Sequence, residues 1–230
     1  QLILDGKTLG DIFNAKIKNW SDPAIKKLNP KLALPDLAIT IVVRADASGT
    51  TAVFTDYLSQ VSADFKNDIG SNKQVQWKTG NTTAGKGNAG VAAFVQQLPG
   101  AIGYVEYAYA VQNNLVYSDM INLDGKRVKP KFESFQAAAA NAKWSSEENF
   151  YTILTNQPGK NSWPATGASF ILMHKSQAKP DNGREVLKFF DWAFKNGEKM
   201  ADELDYVPMP AAVVKQIQDE WKKSLRDPQG

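Results

Sequence analysis

The run Ile39 to Val43 (ITIVV) is unbroken and β-branched, the pattern of a strand covered on both faces. It passes through Arg44 to Ala47 into Ser48-Gly49-Thr50. Beyond that point Val53, Phe54, Tyr57, Leu58 and Val61 recur at helical spacing, so a helix follows with Ser48 or its neighbour as N-cap. A second helix is expected to open at Asn88 as cap, to carry Val91, Phe94, Val95 and Leu98, and to end at Pro99-Gly100. Ala101 to Tyr104 then reads as a short strand and Val105 to Gln112 as a helix closed by Asn113-Asn114. Leu115 to Tyr117 and Arg127 to Lys129 read as weaker strands about the Asp124-Gly125 turn, followed by helices over Phe132 to Ala142 and Ser146 to Leu154.

Asn156 to Asn161, polar and holding Pro158-Gly159, is the best place for a crossing between domains. After it Phe170 to Met173 is apolar and strand-like, and Pro180-Asp181-Asn182-Gly183 is a turn. Leu187, Phe190, Asp191 and Phe194 then place a helix, and Val213 to Leu225 forms a last amphipathic one with Trp221. Strands alternating with helices give an α/β class. The part after Gly159 carries too few elements to build a separate core.

Composition narrows the chemistry. The 230 residues are 43% hydrophobic and 22% charged, an ordinary globular balance. The net charge of +3 arises from 27 basic and 24 acidic side chains scattered along the chain, so no basic stripe points to nucleic acid. There is no cysteine, and His174 is the sole histidine. Thiol catalysis, cysteine metal sites and most triad arrangements are thereby excluded, and no cofactor or metal is expected. No apolar run approaches the roughly 18 residues of a membrane span, so no membrane insertion is expected. Gln1 to Leu4 starts directly in strand-like residues, which reads as a processed, trimmed or excised chain.

The segment Arg44-Ala45-Asp46-Ala47-Ser48-Gly49-Thr50, between strand and helix, has the parts of an anion site. The first turn of a helix presents N–H groups with no partner inside the helix, at the positive end of its dipole. Gly49 allows close backbone approach, Ser48 and Thr50 offer hydroxyls, and Arg44 offers a planar fork for two oxygens. Asp46 is placed to hold that guanidinium by a salt bridge. A plain helix cap beside a surface arginine suits the same residues, and both readings stay open on this segment alone. No base is present to make Ser48 a nucleophile, so reversible binding fits better than catalysis.

Other features have blander readings. Gly80 to Gly87 (GNTTAGKG) nearly fits the P-loop pattern but puts Gly87 where Mg²⁺ needs a hydroxyl, and the preceding Val75 to Trp77 makes a short strand for such a unit. It reads as a flexible or ligand-adjacent loop, not a nucleotide hydrolase. His174 reads as a surface histidine, the six tryptophans as packing residues, and the pairs Glu147-Glu148, Asp202-Glu203 and Asp219-Glu220 as solvated helix faces.

At Arg44 to Thr50 (RADASGT) the chain resembles the phosphate-binding protein family of bacterial ABC-type phosphate transporters. Leu4 to Ile12 (LDGKTLGDI), Gly100 to Ala110 (GAIGYVEYAYA) and Glu185 to Ala193 (EVLKFFDWA) are similar to stretches of that family in the same order. The resemblance covers essentially the whole chain. It implies a periplasmic, non-enzymatic receptor with a periplasmic binding protein-like two-lobe fold and a hinge, closing on inorganic phosphate and delivering it to the membrane permease of the transporter. Carried over by position, Arg44, Ser48, Gly49 and Thr50 are similar to the family's phosphate ligands and Asp46 to the carboxylate that braces the arginine.

The resemblance also implies that the chain corresponds to the C-terminal three-quarters or so of such a receptor. Residues 1–158 are then the second, inserted lobe and residues 159–230 the returning part of the first, which is incomplete without the family's N-terminal segment. That segment supplies the rest of the phosphate shell, including an aspartate that rejects sulfate. Apolar surface left uncovered would be disordered, rearranged or buried by self-association. The competing readings are a scaffold or adhesin that uses the fold without a working site, and a P-loop-like phosphoryl-transfer protein.

Overall fold

The computed structural model describes residues 1–78 and 80–224; the expected end of the last helix at Leu225, and the chain from there to Gly230, lie outside the described residues. In chain order the elements are β1 (Ile3–Asp5), α1 (Gly6–Phe13), α2 (Pro23–Leu28), β2 (Thr40–Arg44), α3 (Gly49–Val61), α4 (Ala63–Asp68), β3 (Thr82–Gly85) and α5 (Gly87–Gln97). There follow β4 (Ala101–Gly103), α6 (Tyr107–Gln112), β5 (Asp119–Ile121), β6 (Arg127–Val128), α7 (Phe132–Asn141), α8 (Pro180–Asn196), α9 (Glu198–Glu203) and α10 (Ala211–Ser224). The α/β class expected from the sequence is the one observed.

Two small sheets organise the first two-thirds. In one, β2 lies between β3 and β4, all parallel, with Arg44 opposite Gly85 and Val42 opposite Gly103. In the other, β5 lies between parallel β1 and antiparallel β6. The chain moves from β2 to β3 in one direction and from β3 back across to β4 in the other. Right-handed crossovers then place α3 and α5 on opposite faces of the sheet. Alternation along β2 follows: Ile41 and Val43 enter the main core with Phe54, Tyr57 and Leu58 of α3. On the α5 face, a Cβ at Gly103 would stand 2.9 Å from Val91 and Val95.

Both sheets share one core. Leu4 of β1 and Met120 of β5 join Ile12, Phe13, Ile25 and Phe65 with the residues of β2 and α3. Phe13 meets Phe54 edge-on at 4.7 Å, and Phe54 stacks on Tyr104 at 4.4 Å. Each such side chain, taken out of water, contributes about 1.5–3 kcal/mol. Short polar side chains start the helices: Asp5 accepts from Thr8 N–H at 2.7 Å, Asp22 from Ala24 N–H at 2.8 Å, and Ser62 from Phe65 N–H at 3.2 Å.

Several expected elements are corrected. The strand placed at Leu115 to Tyr117 lies instead at Asp119–Ile121, where the chain can pair with β1. Ser146 to Leu154 is not a helix, because Asn149 and Phe150 both take left-handed φ (50° and 57°) and break it into a turn. Phe170 to Met173 has no strand partner among the described residues and runs irregular, with Phe170, Ile171 and Leu172 exposed. Pro180 to Gly183 is not a turn before a helix but the first turn of α8, with Pro180 at a position that needs no N–H donor. The loop read over Gly80 to Gly87 holds β3, and Val75 to Trp77 is irregular. Of the tryptophans expected to pack, Trp192 is exposed. Ala165 makes an isolated antiparallel bridge with Thr155.

The stretch around Pro158-Gly159 is fastened to earlier elements. Asn122 Nδ2 donates to the carbonyls of Gly159 (3.0 Å) and Ser162 (3.1 Å), and Asn141 Nδ2 donates to Ser162 Oγ (3.0 Å). Beyond it, α8 touches α10 through Phe194, stacked on Trp221, and through Asp191, which accepts from Gln218 at 2.8 Å. No helix among the described residues is long and apolar enough to cross a membrane.

Candidate functional site

The carboxyl ends of β2, β3 and β4 meet at one corner, where the strand order reverses. Crevices of α/β sheets open at such a point. Each strand delivers one part. β2 ends in Arg44, β3 ends in Gly85 and turns directly into α5, and β4 leads through Tyr104 to Glu106. The first turn of α3 completes the corner.

Arg44 is held rigidly. Its Nε donates to Asp46 Oδ1 at 3.0 Å and its Nη2 to Asp46 Oδ2 at 2.6 Å, and the side chain is only 10% exposed. The carboxylate therefore covers the side edge of the guanidinium. The end edge, formed by Nη1 and Nη2, keeps its two parallel N–H donors for a second bidentate partner. Asp46 also accepts the N–H of Gly87 at 2.9 Å. Arg44 and that N–H together hold the Asp46 carboxyl far below the usual carboxylate range, while the same ion pair raises the Arg44 guanidinium further above its already high value.

The α3 N-terminus faces the same corner. Ser48 is buried and its Oγ accepts from Thr51 N–H at 3.2 Å, which confirms it as N-cap. That leaves the Gly49 and Thr50 N–H groups as first-turn donors the helix cannot pair, and leaves the Ser48 hydroxyl proton for another acceptor. A Cβ placed on Gly49 would meet nothing within 4 Å, so the protein's own packing does not demand glycine there. An open, exposed amide at the positive end of a thirteen-residue helix suits the approach of an anion.

The corner thus brings together all five residues singled out from the sequence, Arg44, Asp46, Ser48, Gly49 and Thr50. Three contributors were not foreseen. Tyr104 OH accepts from Arg44 N–H at 3.2 Å and pairs with Thr51 Oγ1 at 2.8 Å, tying β4 to both β2 and α3. Asn88, expected as an N-cap, sits inside α5 and turns its Oδ1 toward Arg44 Nη1 (3.5 Å) and Glu106 N–H (3.3 Å). Gly87 takes φ +67°, which only a residue without Cβ adopts readily. The signal was in the sequence: Gly85-Lys86-Gly87-Asn88-Ala89-Gly90 is a glycine-rich strand-to-helix turn.

The same turn removes the P-loop reading. That motif needs a phosphate-wrapping loop between strand and helix, whereas Thr82–Gly85 is itself the strand. The Gly87 N–H that would face a phosphate is given to Asp46 instead. His174 is exposed, as expected of a surface residue.

Comparison with known proteins places the chain in a family. The profile of the PBP superfamily domain matches residues 2–196. The phosphate-binding protein PstS of Pasteurella multocida (strain Pm70) is 53% identical over 230 residues, covering 100% of this chain and 66% of that protein. The phosphate-binding protein PstS of Haemophilus influenzae is 51% identical over 226 residues, covering 98% of this chain and 67% of that protein. Among solved structures, a human phosphate binding apolipoprotein superposes with a TM-score of 0.68 at 16% identity, over 94% of this chain and 65% of that one, which establishes a shared fold. The chain spans about two-thirds of these relatives' length, somewhat less than the three-quarters expected.

Proposed function

Because the chain belongs to the PBP superfamily and, within it, groups with the PstS phosphate-binding proteins, we propose that the corner at Arg44 binds inorganic phosphate reversibly. The protein delivers that phosphate in the periplasm to the permease of an ABC-type transporter and carries out no covalent chemistry. Arg44, Ser48, Gly49 and Thr50 supply the donors, and Asp46 fixes the arginine.

One observation carries the reading. Asp46 takes the side edge of Arg44 through two bonds, so the end edge stays free for a second partner, and the first turn of α3, which starts at Gly49, adds the amides of Gly49 and Thr50. A tetrahedral dianion accepts from such a set without any proton transfer. Calorimetric titration with phosphate, with sulfate alongside, tests it. Arg44→Ala should weaken phosphate binding about 100-fold, from the loss of two charge-assisted bonds. Equal affinity in the two proteins would sink the assignment.

Residues 1–158 form the lobe that carries this half of the shell, and residues 159–230 belong to the opposite lobe. The exposed apolar side chains of that second part, Leu172, Phe189, Trp192 and Leu204 among them, favour self-association of the chain as it stands. Sedimentation velocity across a concentration series tests this, and a monomer throughout would overturn it.

A further inference from the structure

We propose that the glycine-rich turn Gly85–Gly90 is a positioning device for Arg44, and that Asn88 is a positioning residue that sets the direction of its end fork. The proposal rests on the phosphate reading above and adds to it the part played by α5.

The geometry begins with the close approach of β3 and α5. A Cβ on Gly85 would stand 2.5 Å from the backbone carbon of Gly90 and 2.6 Å from Val91 N, so only glycine lets the helix start directly over the strand end. Gly87, at φ +67°, then turns its N–H to Asp46 Oδ1. A turn of this shape ordinarily receives a phosphate. Here the protein's own carboxylate receives that N–H, on the same Oδ1 that accepts from Arg44 Nε, and Asp46 is held by both.

Asn88 follows immediately and completes the frame. Its Oδ1 stands 3.5 Å from Arg44 Nη1 and 3.3 Å from Glu106 N–H. Asp46 controls Nε and Nη2 but has no hold on Nη1, so Asn88 supplies the third point that a planar group needs to resist tilting about its two-bond edge. The bond to Glu106 N–H fixes Asn88 in turn to the β4–α6 connection. All three strand ends of the corner thereby converge on one guanidinium. Asn88 touches Arg44 and acts through it.

A double-mutant cycle separates this from a purely structural role. Phosphate affinity is measured for the wild-type chain, Asn88→Ala, Arg44→Lys and the double variant, with melting temperatures for all four. Lysine keeps the charge but has no fork to aim. Asn88→Ala should cost about tenfold in the wild-type background and less than about twofold beside Arg44→Lys, within the range of coupling seen for residues in contact. Equal losses in both backgrounds, or no loss at all, would overturn the proposal.

A readout without phosphate keeps the two claims apart. In the free protein the Nη resonances of Arg44 should be resolved by ¹⁵N NMR and should merge in Asn88→Ala as the guanidinium gains rotation. If the wild-type chain binds no phosphate, the function reading fails while this measurement still judges Asn88. Unchanged Nη signals in Asn88→Ala would dismiss its positioning role whatever the binding result.

Discussion

The hydroxyls of Tyr104 and Thr51 lie 2.8 Å apart inside the protein, joining the end of β4 to the first turn of the capped helix α3. The same Tyr104 oxygen accepts the N–H of Arg44 at 3.2 Å, while its ring stacks on Phe54. One side chain therefore belongs to the core by its ring and to the Arg44 corner by its tip. Burial pushes its hydroxyl above the usual tyrosine range, so it stays a neutral donor and acceptor at physiological pH.

Tyr104→Phe keeps the ring packing and strips the tip. The Thr51 hydroxyl and the Arg44 N–H each lose a partner, in a place where Tyr104 and Thr51 are 7% and 2% exposed. Unmade bonds of this kind cost about 1–3 kcal/mol. Urea denaturation should show a fall of that size at an unchanged m-value, and no measurable change would mean that water replaces the hydroxyl.

Asp46 makes an acid-dependent contribution. Its folded carboxyl titrates below its unfolded value because of Arg44 and the Gly87 N–H. The linked stability is therefore present in full above the usual carboxylate range and is lost as pH falls below it toward the folded value. Asp46→Asn should flatten the dependence of unfolding free energy on pH below about 4 and leave the dependence above pH 5 unchanged. Identical acid limbs for the two proteins would refute the coupling.

Asp119 tests a buried ion pair far from the corner. It is fully buried on β5, where Arg127 Nε donates to its Oδ2 at 2.6 Å and its Oδ1 has no hydrogen-bond partner. Arg127→Met strands the carboxylate. The half-exposed arginine softens the loss, so the expected cost is about 2 kcal/mol, below the range for a fully buried pair. Asp119→Val in the same chain should recover most of it, since an apolar residue suits the β5 interior better than an orphaned charge. Chemical denaturation of the two variants and the double variant measures this, and a double variant no better than Arg127→Met would contradict it.

How far these features were legible in the sequence depends on where their partners lie. Ser48 as N-cap and the Arg44–Asp46 pair are local, separated by two or three residues from what they touch, and could be read directly. The strand at Ile39 to Val43 was legible because two covered faces leave an unbroken β-branched run. Asp119–Ile121 was not, since its strand character comes from pairing with Ile3–Asp5, more than a hundred residues away in sequence. Phe170 to Met173 shows the converse, an apolar pattern with no pairing edge among the described residues. Asn88 looked like a cap because its residue type favours caps. Its actual bonds run to Arg44 and Glu106, and only the fold brings those within reach.

The C-terminal helices should be the least stable part of the molecule. Leu187, Phe190 and Phe194 lie half-buried on one face of α8, with Phe194 against Trp221 of α10. On the rest of α8, Phe189 is 60% and Trp192 48% exposed, and Leu204 beyond α9 is 60% exposed. The link to the Arg44 corner is thin: Tyr206 OH donates to Glu106 Oε2 at 3.2 Å, on the surface. With little apolar area buried against the main core, local opening of α8 to α10 should need far less free energy than opening of β2 and α3. Hydrogen exchange followed by mass spectrometry should show 180–224 exchanging orders of magnitude faster than 40–61, with limited proteolysis cutting first between the two. Exchange slowing throughout 180–224 as protein concentration rises would tie the exposed face to self-association. Uniform protection of both regions in a dilute monomer would instead mean that α8 to α10 pack on the main core in solution more closely than their exposed aromatic residues allow.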